Sequence, residues 1–415
     1  MNRFVLNKNT VFYAAIPFLA SVSEVSAYIP FSLAFCFVVY FVFFGNVDAE
    51  TKNYLLRFFY VIGGLIFIGC VRGSFNDPYS VLKDAWYYIN AGIYFLYAGL
   101  CAVRGYKTRI EFVSGLILGG FASSLWFLSS FFINPELLQL SATEIRDEAG
   151  FGCYDSVVAL FLVTNCWRIK DVFRSNYLIL VVVVCLVAVF MSFSRGIAFS
   201  LLISLLITAG IFNKSPLFKI FSLAILFIAL VFILRFVVDI SDPESHHTFF
   251  GKIAHIIDEG TITSGLTVEE INARWRGYEA ARAYEQFLDA DLIDKVLGQG
   301  FGTLIDVGIY IVLGSDIDNP VRYIEILHNG YLYSLVKSGL LGLMVVCGFY
   351  AYMLKISLVE NNKSLSRSAL LFSVMVIIIS TWSVAGIFNK TVIVSVMALA
   401  GYCIFDIEKR QGKFL

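Results

Sequence analysis

The stretch "EILHNGYLYSLVKSGLLGL", residues 325–343, decides how this chain is read. Residues 237–326 before it are polar, and the sequence after it stays apolar as far as residue 355. A bilayer-spanning helix needs about 20 apolar residues, so an abrupt switch of this kind marks a chain entering a membrane. The entry runs through His328 and Asn329, and the other three histidines, 246, 247 and 255, all lie in the polar segment.

The rest of the chain agrees with a membrane reading. Of 415 residues, 59% are hydrophobic and only 15% charged, and the mean hydropathy is +0.79. A soluble surface needs far more charge. The formal net charge is zero, which gives a nucleic-acid partner no electrostatic support. The eight cysteines form no CxxC pair and lie within or at the ends of apolar segments, so they read as small packing residues.

Apolar stretches fall at about 10–22, 27–45, 54–71, 81–103, 110–132, 151–167, 177–192, 196–212, 217–236, 327–355, 367–384 and 388–405. The expected fold is therefore all-α and polytopic, with about twelve transmembrane helices. Residues 1–236 hold spans one to nine, 237–326 form one large outer loop, and 327–415 hold spans ten to twelve and a tail. The N-terminal run has two readings: a signal peptide ending at Ala27, or an uncleaved helical hairpin, which the apolar run that follows at once favours.

Orientation follows from the short basic loops: "RGYKTR" (104–109), "RIKDVFR" (168–174), "NKSPLFK" (213–219), residues 355–367 and "EKRQGK" (408–413). Twelve spans put all five on one side with the N-terminus, and positive charge marks that side as cytoplasmic. The large loop then lies outside. It carries sixteen acidic residues against six Lys and Arg. Its "VEEINARWRGYEAARAYEQFL" (268–288) reads as an amphipathic helix with Ile271, Trp275, Tyr278 and Leu288 on one stripe. "VLGQGFG" (296–302) reads as a glycine-rich turn, and without a strand-to-helix unit around it, it is no nucleotide motif.

Several residues break the apolar pattern. Arg195, in "MSFSRGIAFS" (191–200), stands between two spans on the outer side, flanked by Ser192 and Ser194. It reads either as a snorkelling side chain or as an anion-binding arginine facing a cavity. Arg274 and Arg276 read either as partners of Glu270 and Glu279 at helical spacing or as phosphate ligands, a role that suits the planar guanidinium fork. His328 reads as a helix-start residue or as a proton acceptor, with Asn329 to orient it. Tyr331 and Tyr333 suit an interfacial belt, although aromatic faces also stack on sugars. The pairs Asp289/Asp291 and Asp316/Asp318 resemble diphosphate–metal motifs but are short and lie in an acid-rich loop, so no metal site is expected.

Three of these stretches, in this order, resemble the O-antigen polymerase and O-antigen ligase family of bacterial membrane glycosyltransferases. They are "FSRGIAFSLL", "ARWRGYE…VLGQGFG" and "LHNGYLYSLVKSGLLGL"; "RDEAGFGCYDS" (146–156), with Arg146, is similar to the family's outer loop. The resemblance covers residues 146–345 in detail. It implies a donor glycan on undecaprenyl diphosphate, an acceptor glycan on a lipid-linked repeat unit or lipid A-core, and a site on the outer face of the bacterial inner membrane. By it, Arg195 and Arg274 bind diphosphate and His328 activates the acceptor hydroxyl. Arg276, Asn329, Ser194, Arg146 and Tyr331 are then candidate substrate contacts. No cofactor is implied, and a chain-length regulator or flippase is a possible partner. Lys337 departs from the family pattern, which has an acidic residue near there. The polymerase and ligase readings share a donor and differ in acceptor. The acidic outer loop repels a strongly anionic core, which tilts the reading towards polymerase. A lipid-linked sugar transporter is the non-enzyme alternative.

Overall fold

The computed structural model describes residues 7–22, 26–45, 49–104, 106–139, 145, 148–150, 153–165, 175–192, 194–210, 271, 274–311, 320–358, 364–390 and 393–410. Its helices are α1 (Lys8–Ser21), α2 (Tyr28–Phe43), α3 (Ala49–Arg72), α4 (Pro78–Val103), α5 (Tyr106–Ile133), α6 (Cys153–Asn165), α7 (Ser175–Met191) and α8 (Arg195–Thr208). The loop region supplies α9 (Trp275–Asp289), α10 (Leu292–Leu297) and the strands β1 (Ile305–Ile311) and β2 (Val321–Ile324). Then come α11 (Gly330–Leu358), α12 (Leu365–Ser383) and α13 (Val394–Arg410).

Every apolar stretch in the sequence coincides with a helix except 217–236, which lies outside the described residues. By length and composition, three helices can cross a membrane: Lys107–Ile133, Gly330–Leu358 and Leu365–Ser383. Shorter apolar helices stand beside them. The protein is thus a predominantly helical, membrane-type bundle.

At the centre stands α4. Asp77 caps it by accepting from the Ser80 N–H at 2.9 Å, and Pro78 opens its first turn, where no amide donor is needed. From Tyr87 onward nearly every side chain is buried. Along its length α4 packs against α13, and paired contacts fix their direction. Asn90, midway along α4, donates to the Lys390 carbonyl just before α13 at 2.9 Å, and Lys409 near the end of α13 donates to the Val103 carbonyl at the end of α4 at 2.6 Å. The two helices are therefore parallel. The pair α6 and α8 is parallel too: Gly196 abuts the Tyr154 hydroxyl, and Asn165 donates to Thr208 at 2.7 Å. By contrast α12 runs against α13, with Ser366 bonded to Asp406 at 2.6 Å. Asp406 also takes Arg109 at 2.9 Å and Arg410 at 2.8 Å, so three basic stretches of the sequence gather at one end of the bundle.

One expectation is corrected at α11. Residues 327–355 read as a single straight span, but Gly339 (φ 65°, ψ −166°) breaks the helix into two arms. The break is sharp. A straight helix would hold residues 330 and 350 about 30 Å apart. Here Gly330 abuts Thr381, and the Tyr350 hydroxyl lies 2.8 Å from the same threonine. Only glycine suits this backbone conformation, and a Cβ there would come 2.4 Å from the Val296 carbonyl oxygen. The second arm descends with α13, its Tyr352 bonded to Glu408.

A broken helix frees carbonyls that a bilayer cannot hydrate. The glycine-rich turn satisfies them. Gln299 N–H donates to the Val336 carbonyl at 2.9 Å and Gly300 N–H to that of Lys337 at 3.2 Å. Phe301 N–H then donates to Gly69 of α3 at 2.9 Å, so the turn is wedged between α3 and the bend.

Candidate active site

Two polar clusters sit on the short arm of α11, Gly330–Ser338. The first is buried. Asp84 of α4 accepts from Tyr333 Oη at 2.5 Å, from Lys337 Nζ at 2.6 Å and from the Gly302 N–H at 2.7 Å. Lys337 and Asp84 are both sealed from solvent. This is how the chain accommodates a positive charge at 337: a carboxylate from another helix neutralises it, and two further donors, Tyr333 and the Gly302 amide, bond the same carboxylate.

The second cluster is half open. His328 precedes the short arm, and its side chain is 46% exposed. Glu279 of α9, 1% exposed, lies behind it. Glu279 Oε1 accepts from the His328 backbone N–H at 2.6 Å, and the same carboxylate lies 3.0 and 3.1 Å from Nδ1. A carboxylate that already accepts one N–H takes the second from Nδ1. The ring's lone pair is then on Nε2. From the other side Ala385 N–H donates to the His328 carbonyl at 2.5 Å. Ala385 is the non-glycine residue with a left-handed backbone among the described residues (φ 63°). The imidazole is thus held by α9, and the backbone that carries it by α9 and the turn after α12.

Asn329 caps the short arm: its Oδ1 accepts from the amides of Tyr331 at 3.0 Å and Leu332 at 3.2 Å. That bond fixes the direction of the arm, and with it the residue before it. Tyr331 turns into the bundle, where its hydroxyl donates to the Ile378 carbonyl at 3.1 Å. Arg274 occupies the N-cap position of α9, half-buried, and Arg276 lies one turn before Glu279 on that helix. Arg195 is the first residue of α8, and Ser194 holds the N-cap position without a capping side-chain bond. Arg146 lies outside the described residues.

The amphipathic helix of the loop begins at Trp275, and its buried face is Gly277, Tyr278, Glu279, Ala280, Ala281 and Ala283. Leu288 is not on it; that side chain is exposed. Asp291 of the acidic pair Asp289/Asp291 caps α10, accepting from the Asp294 N–H at 2.7 Å, while Asp316 and Asp318 lie outside the described residues.

The hairpin was not legible as such. β1 and β2 pair antiparallel, Ile305 with Ile324 and Asp306 with Tyr323. It docks on α9 through Tyr278 Oη, which donates to the Val307 carbonyl at 2.7 Å, and it delivers the chain to His328. A period-two alternation, Ile305, Val307, Ile309 and Ile311, was its available signal. Across the hairpin Arg322 grips Asp306 in two 2.8 Å bonds. Those bonds, with the Gly308 N–H, hold the Asp306 carboxyl down at about 2.

A half-exposed imidazole anchored through Nδ1 can take a proton from a hydroxyl. Arg274 and Arg276 belong to α9, the helix that anchors it, while Arg195 belongs to α8. No protein-family model matches the chain, and no curated protein matches it either.

Proposed function

We propose that the protein is a membrane glycosyltransferase that moves a polyprenyl-diphosphate-linked glycan onto an acceptor sugar hydroxyl, as a polymerase of surface-polysaccharide repeat units. The observation that carries this reading is the Glu279–His328 pair. A hydroxyl attacks the anomeric carbon of the donor as the bond from that carbon to the diphosphate oxygen breaks. The electron pair leaves with the diphosphate, and Nε2 of His328 takes the hydroxyl proton. Arg274 and Arg195 stabilise the departing charge, which fixed guanidinium groups do well in a water-poor site. Arg276, Ser194 and Arg146 line the substrates, and Asn329 contributes by setting the arm.

The proposed topology has twelve spans in the bacterial inner membrane, with termini in the cytoplasm and the site in the periplasm. Helix direction supports the count. If each long helix reverses the chain, α13 can run parallel to α4 only with one further crossing between α8 and α11. Residues 217–236 are the apolar stretch available for it.

A broken helix also favours a transporter of lipid-linked sugars, because transporters build their sites from such breaks. Here the freed carbonyls are bonded by the glycine turn and the lysine by Asp84, which leaves the break closed. One experiment separates these readings and the ligase: the surface-glycan ladder of a strain lacking the protein, run beside its lipid-linked intermediates. Core lipid bearing single repeat units is the expected result. Long chains stranded on the carrier would mean a ligase, and single lipid-linked repeats held in the inner leaflet would mean a transporter.

A further inference from the structure

For a helix in water, α10 is inside out. Its exposed side chains are Leu292 (77%), Ile293 and Val296, which at i, i+1 and i+4 share one side. Its charged residues, Asp294 and Lys295, are half-buried instead, and Asp294 is ion-paired with Arg72. Leu288, in the last turn of α9 just before α10, is exposed as well. Water does not favour this arrangement, and an apolar patch of this kind marks an interaction surface.

The position of the patch says what covers it. Arg72 is the last residue of α3, and its guanidinium also reaches the Gly298 carbonyl at 3.4 Å. The turn after α10 is laid on Gly69, one turn further back along α3. So α10 sits level with the end of an apolar helix whose Phe67 and Val71 are exposed. Phe75, Tyr79 and Leu82, in the turn after α3 and the start of α4, are exposed as well. Side chains of that kind at the end of a membrane helix meet lipid, and an Arg–Asp pair beside them suits the headgroup layer.

We infer that α10 and the last turn of α9 form an interfacial foot, resting in the bilayer leaflet opposite the basic loops with phospholipid as its partner. The inference rests on the helical membrane class alone and is independent of glycan transfer. The foot is coupled to the candidate site: the turn that follows it bonds the Val336 and Lys337 carbonyls of the arm that His328 precedes. The depth of α10 in the leaflet therefore sets the height of the imidazole above the membrane.

The test is a photo-crosslinking amino acid, p-benzoylphenylalanine, at position 292 or 293 of the full chain in native membranes. The control carries it at Tyr310, also 72% exposed, on β1 about 17 Å of strand beyond the buried Ile305. After irradiation the adducts are identified by mass. At least tenfold more phospholipid adduct at 292 and 293 than at 310 is expected. Equal yields at all three positions, or adducts at 292 and 293 to a protein, would overturn the inference.

Discussion

The two polar clusters on the short arm of α11 use the same kinds of group and differ in one respect. Around Asp84 three donors converge in the protein interior: tyrosine, lysine and a backbone amide all bond one carboxylate. Around Glu279 two donors, both from His328, bond the carboxylate. The histidine it holds has no bond to its Nε2 among the described residues and keeps nearly half its side chain in solvent. A closed cluster fixes a shape. An open one on the same arm has capacity left for a substrate, and the rigidity of the first serves the second.

The open cluster should answer in activity. His328→Ala should lower glycan transfer by about 10²–10⁴-fold, because the lost group is the proton acceptor. It should cost only about 1–3 kcal/mol in thermal unfolding, because the buried Glu279 loses one of its two donors and keeps the His328 backbone N–H. Arg195→Ala and Arg274→Ala should abolish transfer with the protein still in the membrane. Arg195→Lys should fail as well, since an ammonium lacks the two-pronged fork.

The closed end should answer in stability. Asp84→Ala strands a buried lysine and should cost about 3–5 kcal/mol, seen in thermal unfolding or in the amount of protein in the membrane. Combining Asp84→Leu with Lys337→Met should recover part of that loss, the part due to the stranded lysine, while the Tyr333 hydroxyl and the Gly302 amide still lack their acceptor.

Glu279→Gln sharpens the contrast. Its amide oxygen can still accept from the His328 backbone, so the fold should survive. An amide no longer selects the tautomer with its lone pair on Nε2, and transfer should fall roughly 10²-fold, by analogy with other imidazoles that have lost an orienting carboxylate. Gly339→Ala should cost about 1–3 kcal/mol for the backbone strain alone, read by thermal unfolding.

The smallest effect belongs to the hairpin. Arg322 holds the Asp306 carboxyl down at about 2, below the ordinary carboxylate range near 4. A depressed carboxyl contributes stability above its unfolded value and loses it as pH falls through its folded one. Hydrogen exchange of the β1 amides should therefore be constant from pH 7 to about pH 4, once corrected for intrinsic rates. It should accelerate between about pH 4 and 2, and Asp306→Asn should remove that step.

The helices were legible because a bilayer demands long apolar runs, and those runs survive in composition alone. The bend was not. "LVKSGLLGL" (335–343) reads as continuous helix, and the glycine that breaks it is one of two in the run. What singles out Gly339 is the backbone of a turn some forty residues earlier. Glu279 and Asp84 were missed for the same reason. Their partners are 49 and 253 residues away, and nothing in the local pattern separates Glu279 from a helix-surface acid beside Arg276. The sequence marked His328, Lys337 and the glycine turn as anomalies. The structure supplies the groups that each of them answers.

The measurement that meets the central claim most directly is glycan transfer by the purified protein in vesicles. The donor would be a polyprenyl-diphosphate-linked repeat unit, and wild type would be compared with His328→Ala at equal amounts of folded protein. The account predicts chain growth by wild type and a rate at least 100-fold lower in the variant. Equal rates would remove His328 from the chemistry, and no transfer by wild type to a lipid-linked repeat or to lipid core would contradict the glycosyltransferase reading itself.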